Sequence, residues 1–339
     1  MGVFVLLPLL LPLTALPVAR LAERHLHPRV ATRLLSALAA VLALCSTVCL
    51  GLLVVVGTVQ LPGHPLPDWA DAWTEEEGPP TAPYEETAGK GAVVALLAVA
   101  VSWSTAARRH RRVRRRAADA LAGVPGGELA VLTDEAAYAY ALPAARPRSS
   151  GGWFARLSGR PSVGPHVPTE VSGGRIVVST AMLACLDAGE RAALVAHERA
   201  HLAGHHHRYL LAVRFAARAN PLLMPLRSAV AYTTERWADE EAARVTGERR
   251  VVARAIGKAA LVSRGTPTPT LAGFAAPGPV PRRVAALLEP EPSAVSWPSV
   301  FTAVGLAAWA AAAGTLGSAL SSANATVTLF LVLRTAGPF

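Results

Sequence analysis

From Leu34 to Leu61 the chain carries no charged side chain, and from Pro292 to Leu333 it carries none either. A helix rises 1.5 Å per residue, so either run is long enough to cross a hydrocarbon core of about 30 Å. A chain containing such runs is not an ordinary soluble domain. Its 52% hydrophobic content and mean hydropathy of +0.35 agree. The 339 residues also leave room for a water-exposed domain with its own core.

The N-terminal third reads as three spans. Residues 1–18 are apolar and run into Arg20 and Arg24, and the start carries no basic residue of the kind that opens a signal peptide. Pro8, Pro12 and Pro17 are tolerable in a spanning helix. Leu34–Leu61 is the second span and Gly91–Ala107 the third. Between them, residues 62–90 hold prolines and seven acidic residues, which reads as a solvated loop. The nine residues from Arg108 to Arg116 include seven arginines. Together with Arg20, Arg24, Arg29 and Arg33, they put residues 19–33, and the chain from Arg108 up to the next span, in the cytoplasm, and the acidic loop outside. Nucleic-acid binding is the other use for such a cluster, but no aromatic side chains are interleaved to stack on bases. The formal net charge of +10 therefore reports topology. Cys45, Cys49 and Cys185 imply no disulfide framework.

Residues 117–290 are soluble in character. Leu129–Thr133, Ala137–Leu142 and Arg175–Val178 are predicted as short strands, and residues 144–174 as a long loop. Asp187 with Glu190 spells a capping box opening a helix. On that helix stands His197-Glu198-Arg199-Ala200-His201. Histidines four apart share a helical face and can bind one metal ion. The glutamate beside the first can act as the base that activates water. Asn220-Pro221 ends the following helix, and another begins at Pro225 and passes Arg244. A last span starts near Pro298, with Ser321–Asn324 a possible break in it.

A metal site of this kind needs a third protein ligand, and the sequence offers two. Glu235 lies on the later helix, with Asp239 on the same face one turn on, placed to accept the spare N–H of a ligand histidine. With Glu240 and Glu241 beside them, the pair could also be an ordinary acidic solvent face. The other answer is His207, because Gly204 and His207 complete His-Glu-x-x-His-x-x-Gly-x-x-His. That reading is weakened by His205 and His206, since a histidine-rich run matches easily. If the helix continues past Gly204, His207 sits about 15 Å of axial rise beyond His197, out of reach. Met224 could stand below such a site as a methionine turn, but reads better as apolar filler.

Val177-Val178-Ser179-Thr180, the segment Ala193–His201, and Glu235-x-x-Ala238-Asp239 together resemble the integral-membrane zinc peptidases of the HtpX and CAAX-prenyl-protease type and the related beta-lactam-sensor type. Arg283-Val284-Ala285-Ala286-Leu287 resembles that group's closing element. The likeness spans about 127–290. It implies a gluzincin site in which His197, His201 and Glu235 bind Zn2+, Glu198 is the catalytic base and Asp239 supports a ligand. Two departures stand out. Tyr138-Ala139-Tyr140-Ala141 replaces an Asn-Ala-Phe-Ala strand, and Gly278–Pro281 replaces a histidine before the closing arginine, so no oxyanion stabiliser is assigned.

The expected architecture is a mainly α membrane protein with about four transmembrane helices and a cytoplasmic zincin-like α+β domain. Residues 1–107 would hold three spans, 108–116 the basic juxtamembrane segment, 117–290 the peptidase domain and 291–339 the last span. The expected activity is zinc-dependent endopeptidase cleavage of a protein or peptide substrate at the cell membrane, in quality control or signalling. The strand at Arg175–Val178 would offer its edge to an extended substrate. The alternative is a metal-binding membrane sensor or scaffold without turnover. Substrate, controlling signal and oligomeric state have no signature in the sequence.

Overall fold

The computed structural model describes residues 8–58, 83–144, 174–263, 280–292, 299 and 301–336. It is mostly helical, with one small mixed sheet. Two compact units emerge: residues 1–111, 208–236 and 292–339 form the first, and 112–207 with 237–291 the second. The expected loop at 144–174 and the acidic segment at 62–82 lie almost wholly outside the described residues.

The first unit is built on α1 (Ala15–His25), α2 (Pro28–Thr58), the first part of α3 (Pro83–Ala120), α6 (His206–Ala219), the start of α7 (Met224–Thr246) and α10 (Ala303–Ala336). Its core joins Ala15, Ala19, Leu35, Leu42, Val213, Leu226 and Val230. Among the described residues, two helices are long and apolar enough to cross a membrane, at Pro28–Val55 and Thr87–Ala120. The stretch expected as a first span contains a 3-10 turn at Leu11–Thr14 before the eleven-residue α1. Pro12 has no N–H to offer Pro8, and the Pro8 carbonyl instead accepts from Ser46 Oγ at 2.9 Å. Asn220 Nδ2 donates to that same Ser46 oxygen at 3.1 Å, and Asn220 Oδ1 accepts from Leu222 N at 3.0 Å, turning the chain after α6. Trp103 Nε1 donates to the Phe215 carbonyl at 3.0 Å, and Thr32 meets Thr233 at 2.9 Å.

α3 differs from the expected span at both ends. Residues 83–90, read as the end of a loop, begin the helix, and the arginines at 108–116 continue it. Arginine is a good helix former, so a basic cluster need not end a helix. α10 runs through Ser321–Asn324 without a break.

The second unit holds the sheet: β1 (Leu129–Leu132), β2 (Ala139–Pro143) and β3 (Gly174–Ser179), in the order β1-β3-β2. β3 pairs parallel with β1 and antiparallel with β2. Ile176, Val177 and Val178 are all fully buried, because both faces of β3 are covered. Ile176 and Val178 meet Met182 and Leu186 of the α4 (Thr180–Ala184) region and Leu202 of α5 (Ala188–Ala203). Val177 faces Ala117, Leu121, Tyr138 and Tyr140. β3 is thus the central strand, with both its edges taken, and the expectation that substrate adds to it is corrected. Gly174 starts β3 at φ 119°, where a Cβ would stand 2.5 Å from the Leu142 carbonyl oxygen.

The opening of α5 follows the sequence. Asp187 Oδ1 accepts from Glu190 N at 2.8 Å, and Glu190 Oε2 accepts from Asp187 N at 3.0 Å. Ala193 and Ala196 of α5 pack with Ala242 and Ala243 of α7 and with Val252 and Ala253 of α8 (Arg249–Val262). Small side chains at these positions let the helix backbones approach closely. Arg249 ties α9 (Val280–Leu288) into the same cluster, donating to the Ala286 and Leu287 carbonyls at 3.0 and 3.1 Å.

Candidate metal centre

His197 and His201 lie on α5, one turn apart, and their Nε2 atoms are 3.1 Å apart. Glu235 reaches the same place from α7. The ligand atoms that His197, His201 and Glu235 offer all lie within 4.8 Å of one another. Glu235 is 5% exposed, and Asp239, one turn on, is 0% exposed, so the reading of these residues as an acidic solvent face is excluded. The whole run from Ala231 to Glu240 is buried.

Asp239 is the best-anchored carboxylate of the site. Arg283, on α9, donates to it twice, from Nε to Oδ2 at 2.8 Å and from Nη2 to Oδ1 at 2.6 Å. Its Oδ1 also lies 3.1 Å from His197 Nδ1. Burial pushes this carboxyl's pKa up. The Arg283 guanidinium and the His197 imidazole outweigh burial and hold it below the usual carboxylate range. An ionised Asp239 accepts the Nδ1 proton of His197 and leaves the lone pair on Nε2. The closing arginine seen in the sequence thus acts on His197 through Asp239.

His201 is held from the other side. Its Nδ1 lies 2.9 Å from Nδ1 of His206, which is 1% exposed and packs on Trp237 with ring centroids 4.4 Å apart. α5 ends at Ala203 with Gly204 as its cap, and His205 takes φ 51°. The helix therefore does not continue past Gly204, and the axial-rise argument against His207 fails. His207 nonetheless stands outside the described group of converging ligand atoms. Met224 is exposed beside Arg227 and does not underlie the site. Glu198 is on α5 between the two histidines and is 8% exposed.

The donor set fits a metal ion. Two nitrogens each 2.0–2.1 Å from a tetrahedral ion would stand roughly 3.3 Å apart, close to the observed pair. With Nδ1 of His197 turned to a carboxylate and Nδ1 of His201 to another imidazole, the two Nε2 atoms converge with a nearby carboxylate, a set of donor atoms that could hold a metal ion. The sequence alone gives His206 no place at the site: it lies in a histidine-rich run, five residues after His201, off any helical spacing.

Residues 169–219 match the family model described as peptidase family M48. No curated protein and no solved structure gives a significant match. The matched segment contains β3, the capping box and both histidines, and it supports the resemblance read from the sequence, to the zinc metallopeptidases of the HtpX, CAAX-prenyl-protease and beta-lactam-sensor type.

Proposed function

We propose that this chain is a membrane-embedded zinc endopeptidase that hydrolyses peptide bonds of protein substrates on the cytoplasmic side of the membrane. The observation that carries the reading is the 3.1 Å approach of the two Nε2 atoms beside Glu235, with Asp239 behind His197. His197, His201 and Glu235 hold the ion. Bound there, zinc supplies Lewis acidity. Glu198 takes a proton from the attacking water and returns it to the leaving amine. Arg283 and Asp239 keep His197 in the ligand tautomer.

An extended substrate pairs with β2. Tyr138, Tyr140 and Leu142 spend their backbone hydrogen bonds on β3, as the bond from Ser179 N to the Tyr138 carbonyl shows for the register. Ala139 and Ala141, one residue out of phase, turn their N–H and C=O groups toward the other edge. The motif helix packs against β2, which supports that edge as the one beside the chemistry.

The basic residues support the cytoplasmic placement. Arg20, Arg24, Arg29 and Arg33 flank the start of α2, and the arginines from Arg108 to Arg116 flank the apolar part of α3. Both candidate spans therefore present positive charge on one side. α10 supplies a further span in this reading.

Glu198→Gln in the purified full chain tests the mechanism. The variant should hold zinc as wild type does and lose about a hundred- to ten-thousand-fold in peptide cleavage, because the base is gone and the ligands remain. Full turnover in that variant refutes the mechanism. Zinc binding without cleavage in wild type itself leaves a sensor or scaffold instead.

A further inference from the structure

We propose that His206 is the positioning residue of the second ligand histidine, accepting at its Nδ1 the N–H of His201 Nδ1 and so reserving His201 Nε2 for the ion. The proposal rests on the metal-site reading above. A neutral imidazole has one N–H and one lone pair. The contact between His201 Nδ1 and His206 Nδ1, at 2.9 Å, is a hydrogen bond in which one ring donates and the other accepts. If His206 donated, the proton of His201 would sit on Nε2, pointing into the space shared with His197, and His201 could not bind a cation. Only the opposite polarity leaves a ligand. His206 is then protonated on Nε2 and acts as pure acceptor toward His201.

The local backbone is shaped to deliver this ring. Gly204 caps α5, and a Cβ there would meet His206 Nε2, stand 2.6 Å from its Cδ2 and lie 3.0 Å from the Ala200 carbonyl oxygen. The ring therefore occupies the space that any side chain at position 204 would need. His205 takes the left-handed conformation that reverses the chain after the cap, at a cost for a residue with a side chain. The reversal turns His206 back over His201, where the two rings meet edge to face with centroids 4.8 Å apart. Trp237, on α7, closes the other face of His206. The glycine-plus-histidine pattern after the motif thus bends the chain back to a histidine, but to a ligand's supporting nitrogen and not to the metal. The two ligands are supported by different chemistry: a carboxylate fixed by Arg283 behind His197, a neutral imidazole behind His201.

The test is zinc affinity of the full chain in detergent, measured by competition with a chelator of known affinity, alongside thermal unfolding of the metal-free protein. His206→Asn places a carbonyl oxygen near the position of Nδ1, His206→Gln places its polar end near Nε2, and His206→Phe keeps a ring without an acceptor. His206→Phe and His206→Gln should bind zinc about ten- to a hundredfold more weakly, the usual loss for a ligand's hydrogen-bond partner, and His206→Asn should stay within a few-fold of wild type. Gly204→Ala should behave like His206→Phe. If His206→Phe does not fold, the contrast between Asn and Gln decides alone. Wild-type affinity in His206→Gln and His206→Phe overturns the proposal and leaves the metal site standing, as does equal loss in all three variants. Absence of stoichiometric zinc in wild type overturns the site reading and the proposal with it.

Discussion

Arg283 and Asp239 form a buried, two-pronged ion pair whose carboxylate also serves His197. Asp239→Asn keeps the shape and removes the charge that Arg283, 7% exposed, is paired with. Breaking a buried pair from one side costs about 3–5 kcal/mol. The variant should show a markedly lower unfolding midpoint in detergent, and zinc affinity about ten- to a hundredfold weaker. Wild-type values for both would show that the pair neither braces the fold nor supports His197.

The choice of third ligand is open to direct measurement. Glu235→Ala should lose stoichiometric zinc, and His207→Ala should keep it, because Glu235 lies with the two histidines and His207 does not. Metal analysis of the two purified variants decides. The reverse result would make the site a three-histidine one.

Acid should loosen the start of the motif helix. Glu190 is buried, which raises its pKa. Lys258, 2.7 Å away, and the Asp187 backbone outweigh this and hold it below the usual glutamate value. A depressed carboxyl contributes stability that is full above its unfolded pKa of about 4.3 and is lost as pH falls through the lower folded value. Unfolding midpoints followed from pH 6 to pH 3 should fall steeply for wild type and less steeply for Glu190→Gln. Parallel curves would remove Glu190 from the acid response.

Cys185 gives a built-in probe of sidedness. It is exposed, whereas Cys45 and Cys49 are buried. A membrane-impermeant maleimide should leave the chain unlabelled in intact cells and label one site after permeabilisation. Labelling of Cys185 in intact cells would place the motif helix outside.

The parts of the fold that the sequence made legible are those set by local chemistry. Asp187 and Glu190 are enough to start α5, and Asn220-Pro221 to end α6, because a cap or a missing N–H acts within one turn. The strands were legible too, but not their order. Ile176-Val177-Val178 is apolar at every position rather than alternating, the mark of a strand covered on both faces, and that pattern points to the centre of a sheet. The break after Ala203 was not legible. Gly204 is required there by the ring of His206, which reaches it only once the chain has reversed. Nor did the basic residues at 108–116 mark the end of a helix, since their charge concerns what surrounds the helix and not its backbone.

Ten consecutive residues of α7, Ala231 to Glu240, have no solvent face. In most helices about half the positions can be changed with little effect, because they face water. Here that latitude is absent, and even the polar members, Thr233, Thr234, Glu235, Arg236, Asp239 and Glu240, are enclosed. A saturation scan of this stretch should therefore show no periodicity of tolerance. A helix that presents a ligand on one turn and its neighbour's brace on the next would register in such a scan as an unbroken band of intolerance, while residues 87–120 of α3, where single buried positions alternate with exposed ones, would show a striped pattern.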